Sequence, residues 1–123
     1  MKVSTDLGLL VIRTLTSLLM IFPHGWSKLA SFTTKMNSFP DPLGISSQAS
    51  LSSAVFTEFF CSIAIILGLK TRWAALALCF TMLVAAFIVH GNDPWMRKEK
   101  AVLFAVVYFG LFISGGGKYS VKD

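Results

Sequence analysis

Charge is what this chain of 123 residues has least of: 14% of its residues are Asp, Glu, Lys or Arg, against 54% that are hydrophobic. Its mean hydropathy is +0.70. A soluble domain of this size wraps one apolar core in a polar shell, and six acidic with eleven basic side chains are too few to cover so much apolar sequence. The same composition excludes a disordered tail. Cysteine is nearly absent. Cys61 and Cys79 stand singly in apolar runs without a CxxC, so a thiol redox centre of the chain's own is excluded and packing is their role. The two histidines, His24 and His90, have no HxxxH spacing, which sets aside haem and metal binding. There is no Gly-rich phosphate cradle after a strand, no nucleophile elbow and no soluble carboxylate pair. The net charge of +5 comes from basic residues scattered singly or in twos and threes, a pattern that suits anionic lipid and excludes nucleic acid as a partner.

What is present is four apolar runs, at 7–22, 51–69, 73–89 and 101–113. None alternates apolar with polar, so outer-membrane strands fail on pattern and helices remain. A helix needs about 20 residues to cross the bilayer. With their flanks the runs become spans of approximately 6–28, 48–69, 72–90 and 94–114, predicting an all-α integral membrane four-helix bundle in a single transmembrane domain. Asp93 is expected as the N-cap of the last helix with Pro94 at its first position, and Gly115 as its left-handed end. Arg13 interrupts the first run and no small-x-small site follows Phe22, so the first span is read as retained rather than as a cleaved signal. The turn 70–72 is so short that the second and third helices must be antiparallel neighbours. The linker 31–50, with Pro40-Asp41-Pro42 and the interfacial candidates Phe32, Met36 and Phe39, gives no fold. Trp26, Trp73 and Trp95 fall at span ends, as interface aromatics do. Basic residues divide five against five: Lys2, Lys70, Arg72, Lys118 and Lys122 on the terminal side, and Lys28, Lys35, Arg97, Lys98 and Lys100 on the other. The tight placement of Lys70 and Arg72 tips the reading to cytoplasmic termini.

The polar residues inside the spans carry the functional reading. Helix parity puts His24, Lys28, His90 and Glu99 on one side of the membrane, whatever the orientation. Arg13, Ser17, His24 and Lys28 recur on one helical stripe, and a charge facing lipid near mid-bilayer costs at least about 2.5 kcal/mol, so that stripe must face inward. Depth arithmetic makes Glu58 the expected ion-pair partner of Arg13. His24, Lys28, His90 and Glu99 are then candidates to hold a quinone carbonyl or an anionic headgroup; the plainer alternative is polar residues that snorkel and cap helix ends. Ala77, Thr81 and Ala85 form a small-residue ridge that would let neighbouring helices approach closely.

The order of Leu10-Val11-Ile12-Arg13, His24-Gly25-Trp26-Ser27-Lys28, Glu58, Gly68-Leu69-Lys70-Thr71-Arg72, Val89-His90, Glu99-Lys100-Ala101 and Gly115-Gly116-Gly117-Lys118-Tyr119-Ser120 resembles the DoxX family of small four-helix bacterial membrane proteins. The resemblance spans nearly the whole chain. One departure is Lys122, which stands before Asp123 where the family pattern has the acid, so the pattern assigns Asp123 no role. The resemblance implies a bacterial cytoplasmic membrane and chemistry that involves either the quinone pool, with quinone as a non-covalent cofactor, or a partner subunit that carries the redox centre. The leading expectation is therefore a quinone-associated subunit of a membrane oxidoreductase assembly. The alternatives are a non-catalytic scaffold or assembly subunit, homo-oligomeric or docked to a partner, and, more weakly, a transporter.

Overall fold

The structure of the protein, a computed structural model, describes residues 3–123; Met1 and Lys2, the latter counted above on the terminal side, lie outside the described residues. Three helices are long and apolar enough to cross a membrane: α1 (Ser4–Ala30), α2 (Ser47–Leu67) and α3 (Thr71–Val89). A fourth, α4 (Trp95–Ser114), has 20 residues, with Arg97, Lys98, Glu99 and Lys100 in its first turns. Those charges keep it out of the membrane-spanning set by composition, and they belong at the interface. The chain is 76% helical, with no strand among the described residues beyond an isolated bridge between Leu69 and Lys122.

The helices meet over a core of Met20, Ile65, Leu78, Met82, Tyr108 and Leu111, in which Cys61 and Cys79 are buried as free thiols. Leu15, Leu19, Phe60 and Phe87 stay exposed on the membrane-length helices, a surface suited to lipid. Each membrane-length helix contains one widened π segment: Ile21–Trp26 in α1, Phe56–Cys61 in α2 and Ala85–Val89 in α3. Pro23 explains the first, because proline has no N–H to donate and its ring crowds the preceding turn.

The expected ion pair of Arg13 with Glu58 is not formed. Arg13 is completely buried and gives its donors to main-chain carbonyls: Nη1 to Ile65 at 2.7 Å and Ile66 at 2.5 Å, Nη2 to Tyr119 at 2.7 Å, and Nε to Gly116 at 3.2 Å. The reason is register. Gly25 lies against the backbone of Glu58. Arg13 is twelve residues back along α1, about 18 Å at 1.5 Å per residue, so it sits level with the far end of α2. There the last carbonyls of the helix carry the negative end of its dipole, which suits a guanidinium, although Ile65 also accepts from the Gly68 N–H at 3.1 Å.

The tail after α4 is tied into that same end. Gly115 ends α4 with φ 75° and ψ −175°, an extended mirror-image conformation open to glycine, rather than the left-handed cap the sequence suggested. Val121 N–H donates to Leu67, Lys122 N–H to Gly68 and Lys70 N–H to Lys122, each at 3.0 Å. Asp6 accepts from the Lys118 N–H at 3.0 Å, and Asp123 from the Gly116 N–H at 2.8 Å. Asp123 therefore closes the tail on itself, a role its displaced position in the sequence had concealed.

The linker is ordered by Asp41. Its carboxylate accepts from the N–H groups of Ile45 and Ser46 at 2.9 Å and from the Ser50 hydroxyl at 2.8 Å, while Ser46 caps α2 through Ala49 N–H at 3.1 Å. Desolvation pulls the Asp41 carboxyl upward, but hydrogen bonds from Ser46, Ser50, Ile45 and Gly44 outweigh it, and the group titrates below its ordinary value of 3.8. A depressed carboxyl stabilises above its unfolded value and loses that contribution as pH falls through its folded one. Protection of the Ile45 and Ser46 amides against hydrogen exchange, corrected for intrinsic rates, is expected to be full at neutral pH. It should fall only under acid below that ordinary value, and Asp41→Ala should remove it at every pH.

Candidate functional site

The site forms beside the place where the π segments of α1 and α2 pack together. An ideal Cβ on Gly25 would lie 2.5 Å from the Glu58 carbonyl oxygen and 2.8 Å from the Phe59 nitrogen, so only glycine lets α1 approach α2 this closely. The approach places Lys28, one turn further along α1, against Glu58, with Nζ 2.5 Å from Oε1. The Glu58 side chain is 3% exposed and that of Lys28 22%, so the acid is buried and the amine reaches toward the headgroups. Gly25→Ala is expected to force the two backbones apart, lowering stability by about 1–3 kcal/mol. Thermal unfolding in detergent measures this, and Ser27→Ala, on an exposed neighbour, is the control.

Beside this pair lies a cavity of about 470 Å³ between α2, α3 and the linker. Its walls are mainly apolar, with Phe80, Val84 and Val89 from α3, Ala54 from α2, and Pro40, Pro42, Leu43 and Ile45 as a strap across the top. Lys28, Glu58, Thr57, Thr81 and His90, with Ser50 and Ser53, supply its polar atoms. The ridge of Ala77, Thr81 and Ala85 lines this space, while Ala77 also packs against the core. Small side chains on α3 opposite Ala54 and Thr57 leave volume that no neighbour fills. Thr81 Oγ1 bridges the two helices by donating to Thr57 Oγ1 at 3.0 Å.

His90 stands at the cavity edge just past α3, its Nδ1 2.7 Å from Asp93 Oδ2. Asp93 was expected to cap α4; its carboxylate is engaged with the imidazole, and Pro94 holds the cap position with no side-chain bond. Of the four candidates at this end, the structure gathers Lys28 and His90 on one cavity and adds Glu58. His24 does not line it: its ring meets Phe104 edge-on at 5.9 Å, and Phe104 stacks on buried Tyr108. Glu99 is exposed on α4 and also stands outside it. Sequence reading missed Asp93 as a partner of His90 and the linker as a cavity wall. For the first, the spacing of three residues across Gly91-Asn92 was the available signal. For the second, the signal was Asp41 followed by the capping Ser46.

The profile of the DoxX family matches residues 8–91. This chain belongs to the DoxX family. The matched stretch contains Arg13, Lys28, Glu58 and His90, while α4 beyond it supplies His24's aromatic neighbour and the tail supplies half of Arg13's acceptors. The chain is also 29% identical to the inner membrane protein YqjF of Escherichia coli K12 over 125 aligned positions, covering 98% of this chain and 94% of that protein. No solved structure matches. Membrane-length helices and a relative of the same extent in the bacterial inner membrane make this chain a DoxX-family inner-membrane protein.

Proposed function

We propose that the chain holds the headgroup of a membrane-dissolved quinone in the cavity between α2 and α3, as the quinone-binding subunit of an inner-membrane redox assembly. The observation that carries this reading is the pairing of an apolar space of about 470 Å³ with polar groups gathered at one end. A quinone ring needs a flat apolar slot and donors at its carbonyls, and ligand pockets of roughly 300–1,000 Å³ are built in this way. Phe80, Val84 and Leu43 supply the slot; Lys28 supplies a donor to a carbonyl, and His90 an acceptor for the O–H of the reduced head. The charge balance supports an uncharged head. Lys28 is offset by Glu58, which also lines the cavity, so the polar end holds no surplus positive charge for a permanently anionic head.

A bound quinone supplies reversible two-electron, two-proton chemistry. The chain's own part is to bind and orient it, because Cys61 and Cys79 are buried in the core and neither lines the cavity. Electrons then come from a partner subunit. The end that carries Lys70, Arg72, Lys118 and Lys122 is the cytoplasmic face in this reading.

Photo-crosslinking with an azidoquinone in native membranes tests it. Labelling is expected in peptides spanning 39–45 and 77–90, competed by excess quinone and reduced several-fold by Lys28→Met or His90→Ala. His24→Ala, outside the cavity, should leave it unchanged. Labelling indifferent to competitor and to the Lys28 and His90 variants would overturn the reading and favour the scaffold alternative, in which the Lys28–Glu58 pair only joins α1 to α2.

A further inference from the structure

We propose that His90 and Asp93 form the proton port of this cavity, carrying a proton between the bound headgroup and water. The inference rests on the reading of the cavity as a headgroup site and extends it to the acid–base group that serves it.

Three observations converge on the pair. The first is location: His90 lines the cavity, yet its side chain is 42% exposed and that of Asp93 36%, so one ring touches both compartments. Lys28 also lines the cavity and reaches outward, but its ammonium is occupied by Glu58. The second is orientation. Asp93 Oδ2 lies 2.7 Å from Nδ1, and a carboxylate accepts only, so Nδ1 carries the hydrogen and Nε2 keeps its lone pair and is the base of the proposed exchange. The third is rigidity. The turn is closed by His90 N–H to Ala85 and Asp93 N–H to His90, each at 3.0 Å. An ideal Cβ on Gly91 would fall 2.5 Å from the Phe87 oxygen, and Lys98 clamps the turn from α4 by donating to Gly91 at 2.9 Å. A side chain needed only to decorate a span end does not require such a setting.

The step is a simple acid–base exchange. An O–H bond of the headgroup breaks, an N–H bond forms at Nε2, and the imidazolium is held by the Asp93 carboxylate. The exposed imidazolium then loses a proton to water and the ring is neutral again. No electron moves in this step. The charged groups around His90 are Asp93 in its own turn, Lys28 of α1 and Glu58 of α2 across the cavity, and Lys98 of α4 through Gly91. Asp93 is the positioning residue, since it acts on the headgroup only through His90.

The test uses purified full-length protein in detergent with an alkylated hydroxynaphthoquinone, whose O–H ionises with a visible colour change. At saturating probe, the wild-type protein is expected to ionise the bound probe at lower pH than empty micelles do. His90→Gln should raise that midpoint by about one pH unit, a tenfold change in the equilibrium, as expected for loss of one nearby opposite charge. Asp93→Asn, which leaves the imidazole in place, should move it part of the way, and Asp93→Glu should restore it. A midpoint unchanged in His90→Gln and Asp93→Asn, with the probe still bound, overturns the proton port and leaves the cavity reading standing. A probe that shows no saturable binding to the wild type overturns both.

Discussion

Arg13→Ala is expected to be the most damaging single substitution in the chain, lowering stability by roughly 3–5 kcal/mol, since each buried acceptor stripped of its partner costs about 1–3 kcal/mol. Four carbonyls accept from this guanidinium, at Ile65, Ile66, Gly116 and Tyr119, and of these Ile65 keeps a second donor in the Gly68 N–H. Two belong to the last turn of α2 and two to the tail, so the side chain joins three parts of the chain at one buried point. The sum stays below four full penalties for two reasons. Water can reach the tail carbonyls once the tail loosens, and removing the charge relieves its own desolvation. Arg13→Lys is expected to recover less than half of the loss, because an ammonium is a point donor and cannot span carbonyls that a planar fork reaches together. Thermal unfolding in detergent measures the loss. Limited proteolysis between Gly115 and Asp123 should become fast in Arg13→Ala and stay slow in the wild type. Equal melting temperatures for both proteins would refute the assignment.

The fold class and the interior role of Arg13 were legible because they follow from composition and from the cost of charge in hydrocarbon. Scarce charge and helical runs forced a membrane bundle, and one arginine within a span had to point inward. Its partner was not legible. Pairing Arg13 with Glu58 required the vertical offset between α1 and α2, and that offset is set by a backbone contact at Gly25 that leaves no periodic trace. Helix parity alone assigns His24, Lys28, His90 and Glu99 to one end of the bundle, and two of them, Lys28 and His90, line one cavity. Which of them share a cavity depends on where volume is missing. The ridge of Ala77, Thr81 and Ala85 reads equally as a close-packing surface or as a void; the side chains opposite it decide. The linker was opaque for another reason: its order comes from one carboxylate, Asp41, accepting from residues four, five and nine positions later, a local network without hydrophobic pattern.

Lys28 and Glu58 are expected to respond unequally to loss of the partner. Lys28→Met leaves a carboxylate only 3% exposed beside an apolar space, the situation in which removing one member of a buried pair costs about 3–5 kcal/mol. Glu58→Gln leaves an ammonium that is 22% exposed on a flexible stem, which can turn toward the headgroups, so its cost is expected to be lower, about 1–2 kcal/mol. The double variant Lys28→Met/Glu58→Gln should recover most of the loss, since no uncompensated charge remains. The double-mutant cycle should then show a coupling of at least about 1 kcal/mol. Thermal unfolding of the four proteins gives the stabilities, and azidoquinone labelling of the same samples gives the function. A pair that served only to join α1 to α2 would leave the double variant stable and functionally intact wherever the parent assembly is assayed. A pair that orients a headgroup would leave it stable and unlabelled. The second outcome is expected, because nearly isosteric uncharged replacements satisfy the packing at this point but supply no ammonium to the cavity.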